Sequence, residues 1–308
     1  MKNQRLFLFF LFITLSLFCE ESDDLFKSKV IFPKNDFSYD MFSGNSLLAF
    51  YDLFDEGLFS DKYDKIKVVS EINSFYKSYK SNFYKVELLK NFKTYQIAFF
   101  SIDGDTYYYN VKEDRDKKKI PINYSYSRKK KLYGGFYFYD EFNYDLFFEI
   151  YGKTKKERVG NLIFVDVLGK KVAFNKKNNA AFYLEKASKS LSQLILKDDE
   201  AKKWADSVTH IFTYAERKVA NEERASLHTF GIAVDFITKE RSKYIYWLWA
   251  SESEAEWWNI PEDKKVYFPS TVVEIFEENG FCWGGRWKRF DIMHFEFRPE
   301  IALNPMNN

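Results

Sequence analysis

Two short segments with alternating apolar side chains constrain this sequence most, because they carry two of its three histidines. In the first segment, Gly231 allows a turn, and Asp235 then shares one face of a predicted strand with the small Ala233. The second segment places His294 on one face of another predicted strand. If the two strands are neighbours, an imidazole returning from the turn at His228 meets both of these side chains at one point.

A cluster of His, Asp and His with one open position is the pattern of catalytic zinc. We therefore predict a single zinc ion held by His228, Asp235 and His294. One histidine on a strand is more often a hydrogen-bonded core residue, but the joint pattern favours a metal site. Asp291 precedes His294 by three positions, where strict alternation would turn it to the opposite face. Asp291 can therefore reach the metal site only if the chain bends between Asp291 and His294.

The remaining patterns predict an α+β fold: a small antiparallel sheet with flanking helices that carries the zinc site, preceded by a β-rich accessory region. Residues 25–144 mix aromatic and aliphatic with polar residues in short runs, which favours strands. Residues 145–303 are the second predicted domain, which carries the zinc site. Within them a strand and turn are expected at 161–169, and helices at 178–196, 199–208 and 270–279.

The first 19 residues have a positively charged start, an apolar run and a polar exit, as signal peptides do. The run is shorter than the roughly 20 residues of a spanning helix. Cys19 ends this leader, so both a cleaved signal and a lipid anchor on Cys19 remain open. In either case we expect export to the periplasm or cell envelope, with membrane contact only through the leader or the lipid.

Charge and cysteine content narrow the classes of partner. The 47 Lys and Arg nearly balance the 45 Asp and Glu, so we expect no nucleic-acid partner, and we expect a monomer. Two cysteines cannot build a disulfide framework. Cys282 is a poor candidate nucleophile, because its spacing suggests no pairing with a histidine.

The motifs Ser-x-His-x-x-Gly-x-Ala-x-Asp at 226–235 and Asp-x-x-His at 291–294 resemble the zinc D-alanyl-D-alanine carboxypeptidase family. That family includes VanY-like carboxypeptidases and the L-alanyl-D-glutamate endopeptidases of some phage endolysins. The Trp-Gly-Gly-x-Trp segment at 283–287 favours the endopeptidase branch of that family. The resemblance covers roughly 145–303 and implies hydrolysis of peptidoglycan stem peptides, at either the L-Ala-D-Glu or the terminal D-Ala-D-Ala bond. A catalytically silent cell-wall-binding or structural envelope protein on the same fold is the alternative.

The resemblance also implies individual roles. It matches the three predicted ligands and makes Asp291 the general base and later the acid. Arg217 matches an arginine that polarises the scissile carbonyl, but Glu216 replaces the usual aromatic residue before it, so Arg224 remains an alternative. We expect Trp283 and Trp287 either to wall the substrate groove or to lie in the core. Ser226 is expected to support the ligands, and Glu296 either to support them through a hydrogen bond or to pair with an arginine. His210 is expected to be a structural residue.

Overall fold

The computed structural model of the protein describes residues 62–90, 95–110, 145–219, 225–239, 242–257, 260, 264, 268–287 and 289–303. The predicted leader with Cys19, and the alternative arginine Arg224, lie outside these ranges. Within them, no helix combines the length and the apolar character that crossing a membrane requires.

The described part of the predicted accessory region is a helix followed by a three-stranded antiparallel meander. The helix α1 spans Lys62–Tyr79, and the strands β1 (Phe83–Lys90), β2 (Tyr95–Ser101) and β3 (Thr106–Asn110) follow in spatial order β1-β2-β3. The strands agree with a β-rich region, but the prediction of strands alone missed α1. Its buried face shows the helical spacing that the aromatic composition obscured: Val69, Ile72, Phe75 and Tyr79.

The C-terminal part alternates short helices and antiparallel strands, so the predicted α+β class is confirmed. The helices predicted at 178–196, 199–208 and 270–279 are present with slightly different ends. In chain order the elements are α2 (Asp145–Tyr151), α3 (Lys155–Gly160), β4 (Leu162–Val167), β5 (Lys170–Asn175), α4 (Ala180–Leu194), α5 (Asp199–Ser207), β6 (Val208–Phe212), β7 (Ala233–Thr238), α6 (Trp247–Ser251), α7 (Ser270–Glu278), β8 (Phe281–Trp283), β9 (His294–Phe297) and α8 (Pro299–Ala302).

A four-stranded antiparallel sheet with the order β6-β7-β9-β8 carries both histidine motifs. Strands β7 and β9 are neighbours, and Asp235 lies directly opposite His294 in their register. Phe236 and Phe295 leave the opposite face of these strands and pack on Phe276 of α7, with ring centroids 5.4 and 4.6 Å away. One face of the sheet is therefore anchored in the core, and the other is available to the metal-compatible side chains.

The N-terminal helix joins the core of the C-terminal part. Phe147 on α2 contacts Tyr79 of α1 on one side and Phe230 on the other, with ring centroids 6.2 and 5.8 Å away. One continuous apolar cluster includes buried residues from both described parts. The division predicted after residue 144 stays a prediction, but α1 and the sheet share one interior.

Candidate metal centre

A short turn and two strands position the three predicted ligands. Ser226 begins a 3₁₀ turn over Leu227–Phe230, and its hydroxyl accepts a hydrogen bond from the His228 backbone. Gly231 ends the turn at φ 66°, and a Cβ there would lie 2.6 Å from a side-chain carbon of Leu162. Only glycine meets both conditions without strain. The turn presents His228 toward Asp235 on β7.

The three side chains meet as predicted. One ligand atom from each of His228, Asp235 and His294 lies within 4.8 Å of the other two. The Asp235 Oδ1 atom is 3.2 Å from Nε2 of His228 and 2.8 Å from Nδ1 of His294, and these two nitrogens are 3.3 Å apart. In the described part of the chain this is the group that could hold a metal ion.

Hydrogen bonds behind the histidines fix which ring nitrogen faces the cluster. The Nδ1 of His228 donates to the backbone carbonyl of Thr213. A carbonyl only accepts, so Nδ1 carries a proton, and Nε2 is the ring nitrogen that faces Asp235. The Nε2 of His294 lies 3.4 Å from a Glu296 oxygen, which leaves Nδ1 for the cluster. Both imidazoles therefore have the outer partners that orient metal ligands.

The charges of the cluster stabilise one another when no metal is bound. Burial opposes ionisation of Asp235, but the charges and hydrogen bonds of His228 and His294 hold its pKa well below the ordinary range. Burial likewise opposes the charged form of His294, yet hydrogen bonds to Asp235 and Glu296 raise its pKa to about 10. The metal-free cluster is thus an ion pair whose protonated imidazole occupies the place of a cation.

The bend required before His294 is present. Residues 291–293 form a turn in which the His294 amide donates to the Asp291 carbonyl over 3.2 Å, and β9 begins only at His294. Burial, and then the negative charge of Asp235, raise the pKa of Asp291 to about 7. Among the described protein atoms, Oδ1 of Asp291 is buried without a hydrogen-bond partner. A buried carboxyl oxygen without a protein donor marks Asp291 as a candidate functional group of the site.

Arg217 reaches the edge of the cluster. Its Nη2 lies 3.9 Å from Oδ2 of Asp235, and its side chain is 48% exposed, so the guanidinium can meet a ligand from solvent. The backbone of Arg217 exchanges hydrogen bonds with the Thr229 hydroxyl, which ties this segment to the 3₁₀ turn. Since Arg224 lies outside the described residues, the choice between the two arginines stays a prediction.

The departure from the family at Glu216 has a structural explanation. Its carboxylate accepts two hydrogen bonds, of 2.9 and 3.0 Å, from the buried Arg158 and a third from Tyr214. Arg158 also donates to the Gly152 and Lys153 carbonyls. This network fixes the segment that supplies the Thr213 carbonyl to His228.

The two tryptophans fall in different places. Trp283 is fully buried and donates from Nε1 to the Ile292 carbonyl over 2.8 Å, so the groove role predicted for it is wrong and the core alternative holds. Trp287 is 7% exposed, and its ring centroid is 5.5 Å from that of His294, so it packs against a predicted ligand. Glu296 contacts both His294 and, at 3.6 Å, Arg298, so both alternatives weighed for it describe real contacts.

The two remaining candidates, His210 and Cys282, lack the position or the reactivity for a role in the centre. His210 is exposed on β6, where its ring stacks on Phe212 at 6.0 Å instead of entering the core. Cys282 is fully buried, and burial raises the pKa of its thiol well above the usual range, which agrees with its exclusion as a nucleophile.

Sequence reasoning missed two contributors to the centre, the Thr213 carbonyl and Arg158. A backbone carbonyl, such as that of Thr213, leaves no trace in side-chain patterns. Arg158 acts through Glu216, and the pair is 58 positions apart. The unexpected acidic residue before Arg217 was the signal that could have prompted a search for a buried cation.

The donor set fits zinc. Two imidazole nitrogens and one carboxylate oxygen satisfy the three-ligand pattern of catalytic sites. The cluster also gives each imidazole the outer hydrogen-bond partner usual for zinc ligands. His228, Asp235 and His294 are the residues that would hold the ion.

Comparison with known proteins agrees with this geometry. Residues 220–297 match a family model described as D-alanyl-D-alanine carboxypeptidase. The chain is also 36% identical over 75 residues to the peptidoglycan L-alanyl-D-glutamate endopeptidase CwlK of Bacillus subtilis (strain 168), a match that spans 24% of this chain and 40% of that relative. No solved structure matches the chain. Residues 220–297, which are similar to the D-alanyl-D-alanine carboxypeptidase family, contain the whole His-Asp-His cluster and Asp291.

Proposed function

We propose that this chain is a zinc-dependent peptidase that hydrolyses peptidoglycan stem peptides in the cell envelope. The observation that carries the proposal is the convergence of His228, Asp235 and His294 beside the buried carboxyl of Asp291. The similarity of residues 220–297 to this peptidase family supports amide hydrolysis over other zinc chemistry. A zinc ion at this site supplies Lewis acidity, which makes water nucleophilic near neutral pH and polarises a carbonyl.

Asp291 is the acid–base group of this proposal. Its orphan Oδ1 accepts the proton of the attacking water, and the same carboxyl returns that proton to the departing amine. A positioned group of this kind contributes about 100- to 10,000-fold in rate.

Arg217 is proposed to bind the substrate oxygen. It approaches the cluster from the solvent side, where its guanidinium can donate to the carbonyl that acquires negative charge during attack. The adjacent Glu216 is anchored to the buried Arg158 by two hydrogen bonds, which supports the position of the Arg217 segment. Trp287 closes the site on the His294 side.

Two bonds remain candidates within one substrate class. The relative from Bacillus subtilis is named as an L-alanyl-D-glutamate endopeptidase, and the Trp-Gly-Gly-x-Trp segment favours the same bond. The family description instead names the D-alanyl-D-alanine bond. Mass spectrometry of digested sacculi separates them: loss of one terminal alanine identifies a carboxypeptidase, and release of the peptide after its first alanine identifies an endopeptidase.

Export is part of the proposal, because peptidoglycan lies outside the cytoplasm. The charged, apolar and polar segments of residues 1–19 support it, with Cys19 as the residue for lipid attachment. We propose a monomer that meets the membrane only through the leader or the lipid. Labelling of the intact chain with a radioactive fatty acid, compared with a Cys19→Ser variant, tests the lipid.

The central experiment measures zinc and hydrolysis together. We expect the purified mature chain to bind one zinc ion, to cleave muropeptides, and to lose activity after chelation until zinc is restored. Asp291→Asn should keep the metal and lose about 100-fold or more in hydrolysis rate. Asp166→Asn is the matched control, since Asp166 only accepts a hydrogen bond from Gly169 in the β4–β5 turn.

Each failure has its own meaning. A zinc-loaded chain that leaves every muropeptide intact would favour the silent cell-wall-binding protein. An active chain that holds no zinc would refute the cofactor. An Asp291→Asn variant with normal hydrolysis would remove Asp291 from the proposed chemistry.

A further inference from the structure

A buried chain of polar contacts runs from the candidate metal centre to the N-terminal helix α1. Nε2 of His294 lies 3.4 Å from Oε2 of Glu296, and Oε1 of Glu296 lies 3.6 Å from Nη1 of Arg298. Arg298 donates from Nε to Oε1 of Glu300. Tyr79 donates its hydroxyl to the other Glu300 oxygen over 2.7 Å. These contacts link a predicted ligand to a residue on the first described element of the chain.

The members of this polar chain are enclosed by protein. Tyr79 and Arg298 have no exposed surface, Glu300 is 1% exposed and Glu296 is 6% exposed. Burial, and then the charge of Glu300, raise the pKa of Tyr79 well above its usual range, so its hydroxyl remains a neutral donor. A buried carboxylate needs such donors, because an unmet acceptor keeps the full cost of its desolvation.

Ring packing fixes the hydroxyl of Tyr79 in place. Its ring centroid lies 5.2 Å from that of Phe75 on α1 and 6.2 Å from that of Phe147 on α2. The guanidinium of Arg298 lies 5.2 Å from the centroid of the same Phe147 ring. The Tyr79 ring and the Arg298 guanidinium, at the two ends of the contact through Glu300, thus pack on the same Phe147 ring.

We propose that Tyr79 is a positioning residue of the metal centre, so that the N-terminal region is a working part of the site. The inference rests on the proposed function, since it takes the His-Asp-His cluster to hold zinc. The hydrogen bond at Nε2 orients the His294 ring and makes Nδ1 a better donor. Tyr79 keeps Glu300 on Arg298, Arg298 keeps Glu296 in place, and Glu296 holds that ring.

Loss of the Tyr79 hydroxyl should weaken zinc binding. One oxygen of Glu300 would then face the core without its donor, and Arg298 would move toward it and away from Glu296. Changes to the outer partners of metal-bound histidines typically weaken metal affinity about 10- to 100-fold. Because Tyr79 acts through three intermediate side chains, Glu300, Arg298 and Glu296, we expect the lower end, about tenfold.

The test compares two buried tyrosines in the full mature chain. Tyr79→Phe removes only the hydroxyl and keeps the ring contacts. Tyr107→Phe is the matched control, because Tyr107 is equally buried and donates to a glutamate, Glu149, over 2.9 Å, outside the chain of contacts to His294. Zinc dissociation constants are measured by competition with a chromogenic chelator, and the cobalt(II) absorption spectrum reports the ligand geometry.

We expect Tyr79→Phe to weaken zinc binding about tenfold and to alter the cobalt spectrum, whereas Tyr107→Phe leaves both unchanged at a similar thermal stability. Equal zinc affinity in wild type and Tyr79→Phe would overturn the inference and leave the proposed function intact. A wild-type chain without zinc affinity would overturn both. If Tyr79→Phe does not fold, Glu300→Gln, which retains the Tyr79 ring and hydroxyl, must weaken zinc binding; normal affinity in that variant would equally overturn the inference.

Discussion

Replacement of Gly285 by alanine tests how the Trp-Gly-Gly-x-Trp segment supports the site. A Cβ at this position would lie 2.5 Å from two carbons of the Trp283 ring and still closer to a third. Ordinary contact begins near 3.4 Å, so the ring must move by about 1 Å. Trp283 is fully buried between Phe268 and Phe295, with ring centroids 6.0 and 6.3 Å away, and cannot move without displacing them.

The magnitude follows from two contributions. Overpacking of a filled core costs about 1 to 3 kcal/mol. Movement of Trp283 also stretches its 2.8 Å hydrogen bond to the Ile292 carbonyl, and the loss of such a bond adds about 1 kcal/mol. We therefore expect Gly285→Ala to lower the free energy of unfolding by about 2 to 4 kcal/mol. Because Ile292 follows Asp291, the folded fraction should also hydrolyse substrate more slowly.

Urea unfolding followed by tryptophan fluorescence measures the free energy. Gly160→Ala is the matched control: Gly160 ends α3, and a Cβ there meets nothing within 4 Å. Alanine in that open helical position should be neutral or stabilising by up to about 1 kcal/mol. If the two variants unfold at the same urea concentration as the wild type, the steric reasoning about Trp283 is refuted.

Two further predictions concern charges. Glu216→Ala removes the carboxylate that Arg158 contacts twice, at 2.9 and 3.0 Å; we expect a loss of about 2 kcal/mol in unfolding free energy, and an unchanged urea midpoint would contradict it. In the metal-free chain, hydrogen bonds to Asp235 and Glu296 outweigh burial and raise the pKa of His294 to about 10. The unfolded value is about 6.5, so this stabilisation is complete below about pH 6.5 and lost as pH rises through about 10. Thermal melting of the metal-free protein should fall over that range, and a His294→Gln variant that retains the same slope would exclude His294 as its source.

The placement of the metal-compatible residues could be predicted because local patterns encode it. Alternation along 232–236 put Asp235 on one face, and the need for a bend before His294 followed from the same rule. The structure supplies the bend as a turn closed by the His294 amide and the Asp291 carbonyl. These features depend on residues that are close together in the sequence, so one sequence is enough to predict them.

The remaining features depend on distant contacts. Helix α1 has a helical spacing of buried residues, but the aromatic residues around it favour strands by composition, and packing decides between the two. Trp283 is core and Trp287 touches His294, although both flank the same Gly-Gly pair. Tyr79 and Glu300 are 221 positions apart, so no motif could have joined them.

The direct pairing of Asp235 with His294 makes the centre a sensor of strand register. A slip of one residue between β7 and β9 would place His294 opposite Val234 or Phe236, whose side chains point into the core. A slipped chain could keep its hydrogen-bonded strands, but it would turn the core residues of one strand outward and could not gather the three donors. Retention of metal by a purified variant would therefore report native strand pairing, a property that circular dichroism does not resolve.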